Sequence, residues 1–294
     1  MVQGLVEACV SLVVNAEPFA VTQPERRSSA LRTMPGTVKR DRLLELDEIT
    51  ITRAAREHGP GYAIVPTCVR TMVREFLLRT GRRLNIRKLQ SADIRAVYRA
   101  LGLDDFHAIN ARQAWANWRT IPRNLNGRLP REPVTAIDLC CGVGDSTAVL
   151  AYYCSSGSRI LGIDAEDQFI AAARRRTFVD GQGHETPVQF QVQDVLDAWT
   201  DEHGRRIPGQ SVDLVNAVGA FGCHFDRTAT ARVVEQCRRV VRPGGLAMFD
   251  AGRDGTSHAV LAQLFTQAGF EWLGRARSCC LDRFWQLCFR KRGP

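Results

Sequence analysis

The sequence predicts an α/β protein: a seven-stranded, mostly parallel, doubly wound sheet preceded by an N-terminal helical region. Three observations carry this. After Pro133, short apolar runs alternate with helical segments, the rhythm of a parallel sheet covered by helices on both faces. The final two apolar runs are separated by only about seven residues, too few for a parallel crossover, so one of them runs antiparallel as a hairpin. The chain of 294 residues is 45% apolar and 24% charged, enough to bury a full core and inconsistent with a disordered protein.

Residues 1–40 hold Pro18, Pro24, Pro35, Ser28 and Ser29 among scattered arginines without periodicity, and read as a disordered leader, with Met34 an alternative start. Residues 41–131 read as a helical lid or substrate region. Val69, Met72, Val73, Phe76 and Leu77 fall at helical spacing before Gly81. Ser91 stands as an N-cap before Ile94, Val97, Tyr98 and Leu101, with Gly102 as a stop. Phe106, Trp115 and Trp118 continue the helical pattern, and Pro122, Asn124, Asn126, Gly127 and Pro130 read as a linker.

Residues 132–294 form the sheet domain. Its strand candidates are Thr135–Leu139, Arg159–Ile163, Val188–Gln193, Val212–Ala217, Leu246–Asp250, Glu271–Ala276 and Phe284–Phe289. A helix over Glu166–Arg176 opens with acids and closes with three arginines, as the helix dipole prefers.

Charge and cysteine usage narrow the class. Residues 1–131 carry 22 Lys+Arg against 12 Asp+Glu, and residues 132–294 carry 18 against 19, so the net +9 belongs to the front of the chain. That asymmetry fits either a polyanionic or anionic partner, or solvated arginine faces, with Arg70, Arg74, Arg82 and Arg83 as candidate clamp residues. The ten cysteines are spread widely, include the adjacent pairs Cys140-Cys141 and Cys279-Cys280, and show no C-x-x-C spacing. They read as reduced core residues in a cytoplasmic protein, with no metal site. The apolar run Leu5–Val14 contains Glu7 and is too short to span a bilayer, so neither a transmembrane helix nor a signal peptide is expected.

The chemistry concentrates where the first strand meets the first helix of the sheet domain: Asp138-Leu139-Cys140-Cys141-Gly142-Val143-Gly144-Asp145. A glycine-rich turn there brings backbone N–H groups close to a ligand at a helix N-terminus. Asp164 closes the second strand candidate, where a carboxylate accepts from both ribose hydroxyls, and Asp194 closes the third. A dinucleotide fingerprint needs a third glycine near position 147, which is Thr147.

With these residues in order, the sequence from about Thr135 to Arg292 resembles the class I S-adenosylmethionine-dependent methyltransferases, whose fold is Rossmann-like. Asp138 to Gly144 is similar to their first motif, with Cys140 where many members have glycine. The Cys-Cys-Gly-x-Gly-Asp form resembles that of ubiquinone/menaquinone C-methyltransferase-like members. The resemblance implies that Asp138, Cys140, Gly142 and Gly144 bind S-adenosylmethionine (product S-adenosylhomocysteine). By the same likeness Asp164 and Ala165 meet the ribose, and Asp194 and the Val195 N–H meet the adenine. Asn216 and Ala217, ending the fourth-strand motif Ser211–Ala217, lie beside the methionine part. Arg238 to Gly245 resembles the turn into strand five, Gln267 to Phe270 the approach to strand six, and Phe284–Phe289 the antiparallel strand beside strand five.

The protein's task is then to hold a nucleophile in line with the methyl group and keep water out. His224, in Gly219-Ala-Phe-Gly-Cys-His224-Phe, is the candidate catalytic base or, alternatively, a wall packed among Phe221 and Phe225 or a histidine facing solvent. Cys223 is not expected to act as a nucleophile, since direct transfer needs no covalent enzyme intermediate. Tyr62, Trp115 and Trp118 are candidates for a lid or for a core stripe. The fourth strand ends Asn216-Ala-Val-Gly-Ala, not in the Asn/Asp-Pro-Pro-aromatic motif that holds a flipped base, which argues against nucleic-acid amino methylation. A small-molecule acceptor, anionic if the basic front region binds it, is the leading expectation. An RNA- or ribosome-directed enzyme and a non-catalytic cofactor-binding partner protein stay open.

Overall fold

A computed structural model describes residues 91–100, 102–277 and 284–293. The leader, the Val69–Leu77 stripe, Tyr62 and the four candidate clamp arginines lie outside the described residues, as does the side chain of Trp115.

Two helices come first, α1 (Ser91–Ala100) and α2 (Leu103–Leu125), followed by β1 (Thr135–Leu139), α3 (Asp145–Tyr153), β2 (Arg159–Asp164), α4 (Asp167–Ala173), β3 (Val188–Val192), β4 (Val212–Ala217), α5 (Arg227–Val240), β5 (Val241–Ala251), α6 (His258–Gln267), β6 (Phe270–Ala276) and β7 (Trp285–Lys291). The strands form one seven-stranded sheet in the order β3-β2-β1-β4-β5-β7-β6. β1 to β5 pair in parallel, and β7 lies between β5 and β6, antiparallel to both. The predicted fold class and the terminal hairpin are therefore what the chain adopts.

Alternation along the strands separates two apolar layers, as strand geometry requires. Ile137, Val215, Ala247 and Phe289 point to one layer with α5 and α6, where Val233, Cys237, Leu261 and Phe265 fill the space. Ala136, Leu214, Met248 and Cys288, their immediate neighbours, point to the other, with Ile121 of α2, Val149 and Leu150 of α3 and Ile170 of α4. Trp118 belongs to this second layer, edge-on to Tyr152 and Tyr153, and is a core residue.

β2, β3, β6 and β7 differ from the expected bounds by one or two residues at an end, and three other boundaries differ for a visible physical reason. The expected linker begins four residues later, because α2 runs through Pro122 to Leu125. Ile121 and Leu125 are buried and Asn124 is hydrogen-bonded to β7, so tertiary contacts outweigh the proline and asparagines in that turn. α4 ends at Ala173 instead of Arg176. Arg174 donates to the Phe190 carbonyl at 2.7 Å, and Arg176 donates to the Val143 carbonyl at 2.6 Å and to Asp145 at 2.7 Å. Arg174 thus holds β3 and Arg176 holds the glycine-rich turn, in place of neutralising a helix end. β5 begins at Val241, with a register shift across Arg242–Gly245 where Gly244 takes φ +80°.

Candidate functional site

The parallel strands deliver their C-terminal ends to one edge of the sheet, and a cleft of about 1040 Å³, counted to its open mouth, lies there. Cys140, Gly142, Asp164, Ala165, Asp194, Val195 and His224 all line it, so the structure brings seven of the predicted residues together. Asp138, Gly144, Asn216 and Ala217 sit beneath this wall.

The glycine-rich turn follows from local backbone demands. Cys140, Gly142 and Gly144 take φ of +53°, +55° and +85°, a region that costs a residue with a Cβ about 1–3 kcal/mol. Cys140 accepts that strain as the one non-glycine of the three. A Cβ on Gly142 would fall 2.9 Å from Cζ of Phe106, which leans in from α2. The Gly142 N–H donates to Asp164 Oδ2 at 2.8 Å, and the Glu166 N–H donates to Asp164 Oδ1 at 3.0 Å. Burial pushes the Asp164 carboxyl up to about 6 despite these bonds. The Cys140 and Cys141 thiols are raised further by burial and by surrounding carboxylates, so neither is a reactive thiolate.

Beneath the turn, Asp138 is fully buried. It accepts from Ser146 Oγ at 2.7 Å, Thr147 Oγ1 at 2.6 Å and Asn216 Nδ2 at 2.7 Å, and burial raises its pKa to about 6. Asp138 and Asn216 thus brace the ends of β1 and β4. Thr147, which occupies the place of the missing third glycine, supplies one of those bonds.

The β4 side of the cleft is carried by residues 219–224. Asp250, at the end of β5, accepts from the N–H groups of Ala220 (3.2 Å), Phe221 (3.1 Å) and Gly222 (2.8 Å). It is 3% exposed, and burial raises its pKa to about 6. This carboxylate shapes the loop that presents His224. Burial pushes the His224 imidazole down to about 4, against a smaller opposite pull from Asp254, so it is neutral near pH 7. Its Nε2 lies 3.4 Å from the Tyr98 hydroxyl of α1, and its Nδ1 is buried and has no hydrogen-bond partner among the described residues.

The helical region closes the cleft from the front. Tyr98 packs edge-on to Phe106, Phe169 and His224. Asn110, Gln113 and Asn117 of α2 line it at i, i+3 and i+7, one helix face. Asp250, Tyr98, Phe106 and this carboxamide row escaped the sequence reading. The spacing of Asn110, Gln113 and Asn117 was visible, but a polar stripe on a helix reads as a solvated face until its neighbours are known. Glu166, two residues past Asp164, also lines the cleft and is 3% exposed, with the Arg99 Nε of α1 at 3.5 Å.

The donor set fits an adenosyl ligand: two carboxylates at the ends of β2 and β3 for hydroxyl and amino groups, beside a turn in which Gly142 leaves no room for a side chain. Residues 136–245 match the family model of a methyltransferase domain. No curated protein matches the chain. Among solved structures, a chain from the complex of the Haloferax volcanii Trm112 methyltransferase activator with a protein described as a methyltransferase is 18% identical. That match covers 65% of this chain and 96% of the other, with a TM-score of 0.50. A Methanosarcina mazei protein described as a SAM-dependent methyltransferase is 14% identical over 58% of this chain and 97% of its own, with a TM-score of 0.46. The fold is that of the Rossmann-like methyltransferases.

Proposed function

We propose that the chain is an S-adenosylmethionine-dependent methyltransferase that passes a methyl group directly to a small-molecule acceptor. The observation that carries this reading is the single cleft in which the glycine-rich turn, Asp164 and Asp194 face His224 across the strand ends. Asp164 and Ala165 hold the ribose, Asp194 and Val195 the adenine, and Cys140 and Gly142 the adjoining turn. Asp138, Gly144, Asn216 and Ala217 keep those groups in place from below. When bound, S-adenosylmethionine supplies an activated methyl group on a sulfonium.

The chain's own contribution is orientation and exclusion of water. Tyr98, Phe106 and Phe225 wall the acceptor side. His224 is neutral near pH 7, and in the tautomer with its proton on Nε2 the Nδ1 lone pair takes up the acceptor's proton where methylation releases one. The 41–131 region acts as the substrate side and 132–294 as the cofactor domain. The Cys-Cys-Gly-x-Gly-Asp turn supports a place near the quinone C-methyltransferase-like members. Among the described residues no helix is long and apolar enough to cross a membrane, and the described cysteines carry no disulfide, which supports a cytoplasmic setting.

Calorimetric titration of the full chain with S-adenosylhomocysteine and, separately, NADH tests the reading. Saturable binding of S-adenosylhomocysteine alone is expected, and binding of NADH alone overturns it.

A further inference from the structure

We infer that the acceptor is an uncharged, planar molecule presenting adjoining N–H and C=O groups, a lactam or amide edge, and that Gln113 and Asn117 of α2 read that edge. The inference rests on the proposed methyl transfer and names the substrate class of the same cleft.

Gln113 and Asn117 are one helical turn apart, both line the cleft, and Gln113 Nε2 donates to Asn117 Oδ1 at 2.8 Å. A carboxamide pair bonded in this way keeps one donor and one acceptor side by side, and exchanging N and O on both residues leaves the same pair. Gln113 lies against the end of β4: a Cβ on Gly219 would fall 3.1 Å from Gln113 Cγ. The pair therefore stands at the end of β4, beside Gly219 on the wall of the cleft.

Asn117 is only 3% exposed, so a ligand that leaves its polar atoms unmatched pays a desolvation cost. A carboxylate ligand offers acceptors only and meets the negative field of Asp145, Asp164, Glu166 and Asp194 in the same cavity. An ammonium ligand offers donors only. A lactam edge matches both positions and adds no charge beside the neutral His224. The rings of Tyr98 and Phe225 supply flat apolar walls for a planar body. This differs from the anionic acceptor that the basic front region suggested.

The test uses the full-length protein saturated with S-adenosylhomocysteine and three ring-matched probes: carbostyril (a bicyclic lactam), naphthoate and naphthylmethylamine. Carbostyril is expected to bind saturably and at least about tenfold more tightly than the other two. Gln113→Met and Asn117→Leu should each weaken carbostyril about tenfold while S-adenosylhomocysteine affinity is unchanged. Gln113 is the less buried of the two, so Gln113→Met keeps the test decisive if Asn117→Leu does not fold. The inference is overturned if carbostyril does not bind, if either charged probe binds as tightly, or if Gln113→Met leaves carbostyril affinity unaltered. Failure to bind S-adenosylhomocysteine instead sinks the methyl-transfer reading, so the two failures are distinguishable.

Discussion

Asn124, in the last turn of α2, donates through Nδ2 to Oε1 of Gln286 on β7 at 3.0 Å. Gln286 Nε2 donates in turn to Asn216 Oδ1 at 2.7 Å, and Asn216 Nδ2 to Asp138 Oδ1 at 2.7 Å. All four side chains are at most 2% exposed. A buried polar chain thus runs from the helix that lines the acceptor side to the first strand of the cofactor side. In a low-dielectric interior, removing one member strands its neighbours.

Gln286→Leu should therefore lower stability by about 2–3 kcal/mol, because Asn124 and Asn216 each lose a buried partner. Urea denaturation measures it. In a double-mutant cycle, Asn124→Leu with Gln286→Leu should cost less than the sum of the single changes, and strict additivity would dissolve the chain into independent contacts.

Asp164→Ala should weaken S-adenosylhomocysteine binding by about 1.5–3 kcal/mol, through loss of a charge-assisted contact and of the carboxylate that holds the Gly142 N–H. Calorimetry reads this directly, and unchanged affinity would remove Asp164 from the site.

Asp250→Ala should free the loop that it pins by three N–H groups. Amide exchange at Ala220, Phe221 and Gly222 is expected to accelerate about tenfold or more, with α5 and β1 amides unaffected. Equal acceleration everywhere would make Asp250 a global stabiliser and not a local anchor.

His224 gives a signed pH dependence. Its pKa is about 4 when folded against 6.5 ordinarily, so between those values the unfolded chain takes the proton and the folded chain does not. Its contribution is intact above 6.5 and is lost as pH falls through 4. His224→Gln removes this loss, so the variant should gain about 2–3 kcal/mol on the parent between about pH 7 and about pH 4. Denaturant midpoints across that range check it; parallel curves would mean that His224 titrates normally in the folded chain.

Gly142→Ala should cost about 1–3 kcal/mol and impair S-adenosylhomocysteine binding, since its φ is +55° and its Cβ would strike Phe106. Adding Phe106→Ala should restore part of the loss, the contact, and leave the rest, the backbone strain. Full recovery would show that φ is not limiting.

Local patterning made much of this readable in advance. β1 and β4 are found at their expected bounds, each a short, mostly apolar run that leads into a glycine-containing turn, and the short last connection dictated the antiparallel pair. That Asp164 and Asp194 line the cleft was legible because each stands at the end of a strand candidate. Pro122 and Asn124 were misread because propensity speaks for the residue alone, while Asn124 answers to Gln286, 162 positions later. Tyr98 and His224, 126 positions apart, met for the same reason without any local sign. Asp250 looked like the polar end of a strand, and nothing along the chain reveals that three amides converge on it.

The insertion of β7 between β5 and β6 has a consequence for how the protein is made. β6 joins the sheet only through β7, so while a ribosome is still adding residues 277–284, β6 has no strand to pair with and β5 is an open apolar edge. Gln286 arrives in the same late segment, so the polar chain from Asn124 to Asp138 stays broken until then. Strands β1 to β5 can pair with one another before β7 is made, whereas β6 and the polar chain from Asn124 to Asp138 are completed only when β7 adds to the β5 edge, which is the open edge of the sheet until then.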